Sequence, residues 1–337
     1  MEKGLIVVDK NTVPLSLGDL RINFGASAEI PGSVLYLHPI HNFAVIKYDP
    51  SLLLSDKFKN APLSFDLLTA GEDVWLIGVT HTQQPFAQST TVSKVEELFI
   101  NESNPPRYRA YNEEVVHLDK AISCIGAVIV NQKGMIQAIW GSYSSSEKKN
   151  PSTPTEYFRG MPVYLLENTI NPMIQDKEPV LLSLETEFWP LNLSDARNMG
   201  LSDSWISKVE EKKARHLLII RRVVAKSPAS KILKTSDLLL SINGKIVTCF
   251  KEAEDLIQLE GAKPLEITVL RMQQEMTFQV ETVSLSGCGT EKIVLWAGGH
   301  FQNTHRAVDQ LGFSPEGVYC SRWHYGSPSH KYGLRYK

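Results

Sequence analysis

Residues 1 to about 172 alternate short apolar runs with turn residues: Leu5 to Val8, Leu20 to Phe24, Val34 to Leu37, Phe43 to Tyr48, Val74 to Val79, Ala127 to Val130 and Ile136 to Trp140. Runs of this length, punctuated by Gly, Pro, Asn and Asp, predict β-strands, and their spacing predicts a barrel or sandwich. The stretch Ser142 to Thr155 is built from Ser, Thr, Pro and Lys without a large aliphatic side chain, and reads as an exposed loop. Phe158 to Val163 leads into a helix predicted from Tyr164 to about Ile170, and polar Gln175 to Pro179 reads as a linker.

Beyond the linker the pattern changes. Leu193 to Gly200 predicts a small helix stopped by Gly200. Leu217 to Val224 predicts a strand, and Lys226-Ser227-Pro228-Ala229 a turn. Asp237-Leu238-Leu239-Leu240-Ser241-Ile242 reads as an apolar strand that reverses at Asn243-Gly244, residues that accept positive φ. Glu252 to Leu259 places Ala253, Leu256, Ile257 and Leu259 on one helical side, and Leu265 to Leu270 and Met276 to Val280 predict two more strands.

At 337 residues the chain is long enough for two or three domains. With 35 basic and 37 acidic side chains there is no electrostatic case for a nucleic-acid partner. The mixed-charge stretch Lys208 to Arg215 reads as a solvated helix or loop. No run reaches the ~18 apolar residues of a membrane-spanning helix. Cys124, Cys249, Cys288 and Cys320 are widely spaced, with no C-x-x-C pair for zinc or redox work, which fits a reducing compartment such as cytoplasm, nucleus or plastid. His38 and His41 have H-x-x-H spacing without a carboxylate or cysteine motif beside them, and are expected in a surface turn. His300, His305, His324 and His330 read as surface residues, and Cys288 and Cys320 as core thiols. No cofactor or metal is expected.

The order strand, turn, strand, Asn-Gly, helix, two strands resembles a PDZ domain, in the version found in the HtrA (Do-like) serine proteases. The first half resembles the chymotrypsin-like domain of the same family. Gly4 to Val13 matches the strand ending in Ala-His-Val, with Asn11 at the position of the general base. His38 to Ile46 matches Asp-Pro-x-x-Asp-Leu-Ala-Val-Leu, with Asn42 in place of the orienting Asp. Gly71 to Gly78 matches a Gly-Asp-x-Val-x-x-Ile-Gly strand. Counting back from Asn131 and Gly134 puts the nucleophile position at Ile125, and Asp119 lies closer to it than the family pattern has it, implying a shortened oxyanion loop.

Acyl transfer requires a nucleophile, an imidazole to deprotonate it and a carboxylate to fix the imidazole tautomer. An amide at Asn11 has no basic lone pair near neutral pH, so hydrolysis through these positions is not expected. Cys124 is an alternative nucleophile, with His117 and His41 as the nearest bases in sequence; its ordinary reading is an inert core thiol. Ser123 as a shifted nucleophile lacks a base in the same way.

In the PDZ-like part the resemblance implies a carboxylate loop at Leu181-Leu182-Ser183-Leu184, an edge strand near Thr186, and a groove helix presenting Ala253, Leu256 and Ile257. Leu182 stands where a small residue is expected, so an internal peptide segment is a better match than a terminal carboxylate. Gly317 to Trp323 and Gly326 to Leu334 resemble the start of a second PDZ unit.

The expected architecture is therefore mainly β: a chymotrypsin-like double β-barrel, shortened at its N-terminus, followed by α+β PDZ domains. Boundaries are expected at 1–174, 179–284 and 290–337. The resemblance implies the C-terminal half of the double-protease members of plants and fungi, and hence a piece or shortened form of a longer protein. It implies a non-catalytic homologue that binds extended peptide segments or misfolded proteins, partnered with a second copy or an upstream protease domain. The alternative is a serine-type endopeptidase whose triad lies in an upstream domain.

Overall fold

The computed structural model describes residues 3–24, 28–53, 59–103, 105–122, 124–147, 150–312 and 317–334. The chain divides into two compact units. The first gathers Met1–Ala110, Val115–Glu167 and Gly287–Lys337; the second gathers Tyr111–Glu114 and Asn168–Ser286.

The first unit opens with β1 (Leu5–Asp9), β2 (Leu20–Phe24), β3 (Ala28–Leu37) and β4 (Phe43–Tyr48), an antiparallel sheet in the order β1-β4-β3-β2. Then β5 (Asp73–Val79), β6 (Pro85–Glu97), β7 (Glu114–Leu118), β8 (Ile125–Val130), β9 (Ile136–Glu147) and β10 (Asn150–Pro162) close a barrel in the order β10-β7-β6-β5-β8-β9. Its interior is filled from alternate positions by Val74, Leu76, Val92, Val116, Ile129 and Trp140, as period-2 side-chain alternation requires. Closure needs close backbone approach at Gly78, where a Cβ would lie 2.5 Å from the Ala127 Cβ.

The polar stretch expected as a loop is instead a hairpin. Residues from Ser142 belong to β9 and those up to Thr155 to β10, with Tyr157 opposite Tyr143 and Phe158 opposite Ser142. The two tyrosine rings stack at 5.8 Å. Ladder bonding and that aromatic pair hold the strands where aliphatic side chains are missing.

After α1 (Glu167–Ile174), the second unit contains β11 (Leu181–Ser183), β12 (Thr186–Asn192), α2 (Leu193–Asn198), α3 (Asp203–Glu211) and β13 (His216–Val223). It continues with β14 (Leu238–Ile242), β15 (Lys245–Ile246), α4 (Phe250–Glu260), β16 (Leu265–Arg271), β17 (Gln274–Val280) and β18 (Val283–Leu285). The sheet runs β12-β13-β14-β16-β17, with β15 on β14, and β11 pairs separately with β18. Asn243 (φ 47°) and Gly244 (φ 72°) form the two-residue reversal between β14 and β15, the type I′ geometry that matches strand twist. Gly200 ends the α2 turn at φ 95°. Asp237, 1% exposed, enters β14 and is fixed by Arg271, whose Nε and Nη2 donate to its two carboxylate oxygens at 2.7 and 2.6 Å.

The chain ends with β19 (Val294–Trp296), β20 (Gly299–Gln302), α5 (Arg306–Asp309), β21 (Tyr319–Trp323) and α6 (Pro328–Lys331), with β19-β20-β21 as a small sheet. This segment clusters with the first unit. Leu37 N donates to Gly287 O at 2.8 Å, and a Cβ at Gly287 would lie 2.0 Å from a Tyr36 ring carbon. Cys320 is buried as expected, but Cys288 is exposed, since it lies in the irregular stretch that crosses β3.

Candidate functional site

In the first unit, the two asparagines expected at the acid–base positions converge on one residue. At the end of β1, Asp9 accepts from Thr12 N at 2.8 Å and from Thr12 Oγ1 at 2.9 Å. This turn presents Asn11, whose Nδ2 donates to Ser142 Oγ at 2.7 Å. From the turn before β4, Asn42 Nδ2 donates to Ser142 O at 2.8 Å. Ser142 Oγ lies 3.3 Å from Asp9 Oδ1. Two carboxamides therefore clasp the side chain and backbone of one β9 serine, and neither amide nitrogen offers a lone pair that takes a proton near pH 7. Ser142 itself went unnoticed in the sequence because it fell in the polar stretch.

Ile125, the expected nucleophile position, begins β8 opposite Val79, followed by Gly126 at φ 57°. Ser123 lies outside the described residues. Cys124 is 2% exposed in the barrel core beside Val74, Leu76 and Val116. Burial pushes its thiol pKa up, the reverse of what a nucleophilic cysteine requires. His117 Nε2 is held by Glu96 at 2.5 Å and by the Arg159 Nε donor at 3.0 Å. Desolvation, then Arg159, holds the His117 pKa down.

His38 and His41 are not in an exposed turn: they are 1% and 2% exposed, with rings stacked at 4.7 Å. The His38 Nδ1 accepts the backbone N–H groups of Ile40 at 3.2 Å and His41 at 2.7 Å, so this nitrogen is turned into its own loop. Burial first, then the charges of His41, Lys10 and Arg306, holds His38 well below the usual histidine range. Among the described residues no group of three His, Cys, Asp or Glu is placed to hold a metal ion. Lys10, next to Asn11, is 8% exposed. Its Nζ donates to His38 O at 2.8 Å and lies 3.7 Å from the centre of the Tyr108 ring. Desolvation, followed by Arg306, lowers its pKa to about 7.

In the second unit, Leu184, Ala253, Leu256 and Ile257 share one core with Phe188, and Leu182 packs against it. The predicted wall residues are thus brought together, with α4 lying over β12's inner face. Leu181, Ser183 and Thr186 are buried on the strands beside them. The loop is closed on itself: Glu185, at φ 55°, donates its N–H to Ser183 Oγ at 2.9 Å, and Thr186 Oγ1 donates to Leu184 O at 3.1 Å. Two polar residues of this region had no signal in the sequence. Gln258 of α4 accepts from Leu182 N at 3.2 Å and donates to Leu182 O at 2.7 Å. Asn112 Nδ2 donates to Thr186 O at 2.9 Å, and Phe188 N donates to Asn112 Oδ1 at 2.7 Å.

A closed antiparallel barrel beside a second sheet, with an additional α+β unit, defines a chymotrypsin-like protease fold with an appended domain. Solved HtrA-type proteases have the same fold. The protease AlgW with a decapeptide superposes with a TM-score of 0.55 at 17% identity, covering 85% of this chain and 81% of that one. AlgW with a tripeptide gives a TM-score of 0.56 at 16% identity. In sequence the chain is similar to proteins named as Do-like and pro-apoptotic serine proteases. Protease Do-like 7 of Arabidopsis thaliana is 36% identical over 363 aligned positions, which cover 98% of this chain and 33% of that protein. The pro-apoptotic serine protease nma111 of Aspergillus niger is 31% identical over 343 positions, 99% of this chain and 33% of that protein. The chain thus spans about a third of the length of these relatives. No family model matches it.

Proposed function

We propose that this chain is a non-catalytic part of an HtrA-like protease, acting by binding extended peptide segments through a PDZ-type second unit. The observation that carries the first half of this reading is the clasp of Asn11 and Asn42 on Ser142: the residues that the resemblance aligns with a base and its orienting carboxylate are amides engaged with a serine. The core placement of Cys124 speaks against a substitute thiolate. The second half is supported by β12, an edge strand with α4 packed over its inner side chains, the arrangement that strand addition uses.

The test is turnover of unfolded casein by the purified chain and by Cys124→Ala, with a fluorophosphonate probe for serine nucleophiles. Neither labelling nor cleavage above buffer is expected. Cleavage abolished by Cys124→Ala would overturn the reading and make the chain a cysteine-type enzyme. A second reading is favoured by the relatives, which are about three times longer and bear the name serine protease. In that reading this chain is a regulatory or assembly part of an endopeptidase whose triad lies elsewhere in the whole protein. It predicts cleavage by the full-length protein that survives Cys124→Ala.

A further inference from the structure

The edge of a sheet presents carbonyl and amide groups of alternate residues to one side, and an added strand bonds the C=O of residue i together with the N–H of residue i+2. On β12 these groups are the Thr186 carbonyl and the Phe188 amide, on the edge away from β13. Both are engaged by Asn112, whose carboxamide supplies one donor at 2.9 Å and one acceptor at 2.7 Å. A carboxamide presents a donor and an acceptor to the same side, as the N–H and C=O of one residue in an extended strand do. Asn112 therefore occupies the edge as one residue of a ligand strand would.

The fit is held by its surroundings. Asn112 sits at φ 51°, a left-handed conformation that Asn adopts more readily than other non-glycine residues. Its neighbours Tyr111 and Glu113 are buried, and Tyr111–Glu114 clusters with the second unit. Gln258 makes the same kind of closure one step earlier, with its amide on both backbone groups of Leu182. In the loop where a terminal carboxylate would dock, the Leu182 and Glu185 amides are already bonded, to Gln258 and Ser183.

We propose that Asn112 is the resident ligand of the β12 edge, and that a partner binds by displacing it. This rests on the peptide-binding reading of the second unit and adds its regulation and its ligand class. An internal, unfolded segment replaces Asn112's two bonds with a longer row of main-chain bonds. A C-terminal carboxylate gains little, because the loop amides it needs are taken.

The experiment uses the whole 337-residue chain and two readouts: hydrogen exchange of the segment 186–192 by mass spectrometry, and anisotropy of fluorescein-labelled β-casein, an unfolded probe. Asn112→Ala removes both bonds. Asn112→Asp keeps the acceptor for Phe188, turns a carboxylate oxygen towards the Thr186 carbonyl, and serves as the second variant should the alanine chain fail to fold. Faster exchange in 186–192 is expected for both. Casein binding should tighten about tenfold in Asn112→Ala, equivalent to ~1.4 kcal/mol, with Asn112→Asp in between. Unchanged exchange overturns the proposal, because the contact then does not protect the edge. Faster exchange with equal casein affinity in all three chains overturns it while leaving the groove reading intact. Faster exchange with no casein binding by any chain overturns the groove reading and the proposal together.

Discussion

Replacing Lys10 by Met should stabilise the first unit at neutral pH and flatten its pH dependence. The ammonium is 8% exposed, donates one bond to His38 O and stands over the Tyr108 ring. Beside burial, the charge of Arg306 acts against its ammonium. Desolvation is the larger cause and Arg306 the smaller of a pKa lowered from 10.5 to about 7. At ~1.36 kcal/mol per pH unit, that drop amounts to ~5 kcal/mol. In the unfolded chain Lys10 keeps its proton to about 10.5, whereas in the folded chain it loses it near 7. Between those values the unfolded state binds more protons, so stability rises with pH. Below about 7 both states are protonated and the full cost is present. Methionine removes the cost and forfeits one charge-assisted bond, worth ~1.5–3 kcal/mol, leaving a net gain of ~2–3 kcal/mol at about pH 6. Urea unfolding, followed by hydrogen exchange in β1 and β4 peptides, measures this at about pH 6 and about pH 10. The variant should lead at the lower pH and lose its lead at the higher, since other titrations are common to both proteins. A constant difference across that range would refute the reasoning.

Three further outcomes are expected. Asp237→Ala strands the Arg271 guanidinium, itself 15% exposed, and should cost ~3–5 kcal/mol by urea midpoint; Asp237→Leu with Arg271→Met should recover most of it. Gly78→Ala drives a Cβ to 2.5 Å from the Ala127 Cβ and 2.8 Å from its Cα, an overpacking of ~1–3 kcal/mol visible as a lower melting temperature. In an iodoacetamide time course, exposed Cys288 should react first and buried Cys124, its thiol pKa raised, only as the first unit opens; equal rates would contradict the core placement.

What could be read from the sequence was whatever is encoded locally. The apolar run from Phe43 to Tyr48 and the alternation around Leu265 to Arg271 became β4 and β16. Asn243-Gly244 became the reversal that its two residues favour, and Ala253, Leu256 and Ile257 became α4's inner face, whereas Leu259, expected on the same side, is exposed near the helix end. Asn11 and Asn42 could be placed by pattern, but not the serine that joins them, which lies 131 and 100 residues away from them. His38 and His41, beside Pro39 and Asn42, look locally like an exposed turn; yet the His38 ring packs on Tyr36, His41 and Phe43, and Lys10 bonds the His38 carbonyl from 28 residues away. Gln258 and Asn112 each bond a backbone 76 residues away. An exposed-looking amide carries no trace of such a partner in its own neighbourhood. The β9–β10 hairpin had one overlooked signal, the Tyr143–Tyr157 pair, hidden by the serines around it.

The contact of Gly287 with Tyr36 and Leu37 also has a meaning in time. Translation delivers β3 early and Gly287 only after the whole second unit has been made, a delay on the order of tens of seconds at ~5–20 residues per second. The second unit, nearly contiguous in the chain, can close on the ribosome while the Leu37 amide and the Tyr36 ring still await their cover. In a nascent chain the end of β3 thus stays uncovered for much of the synthesis, and the first unit is completed only after the second.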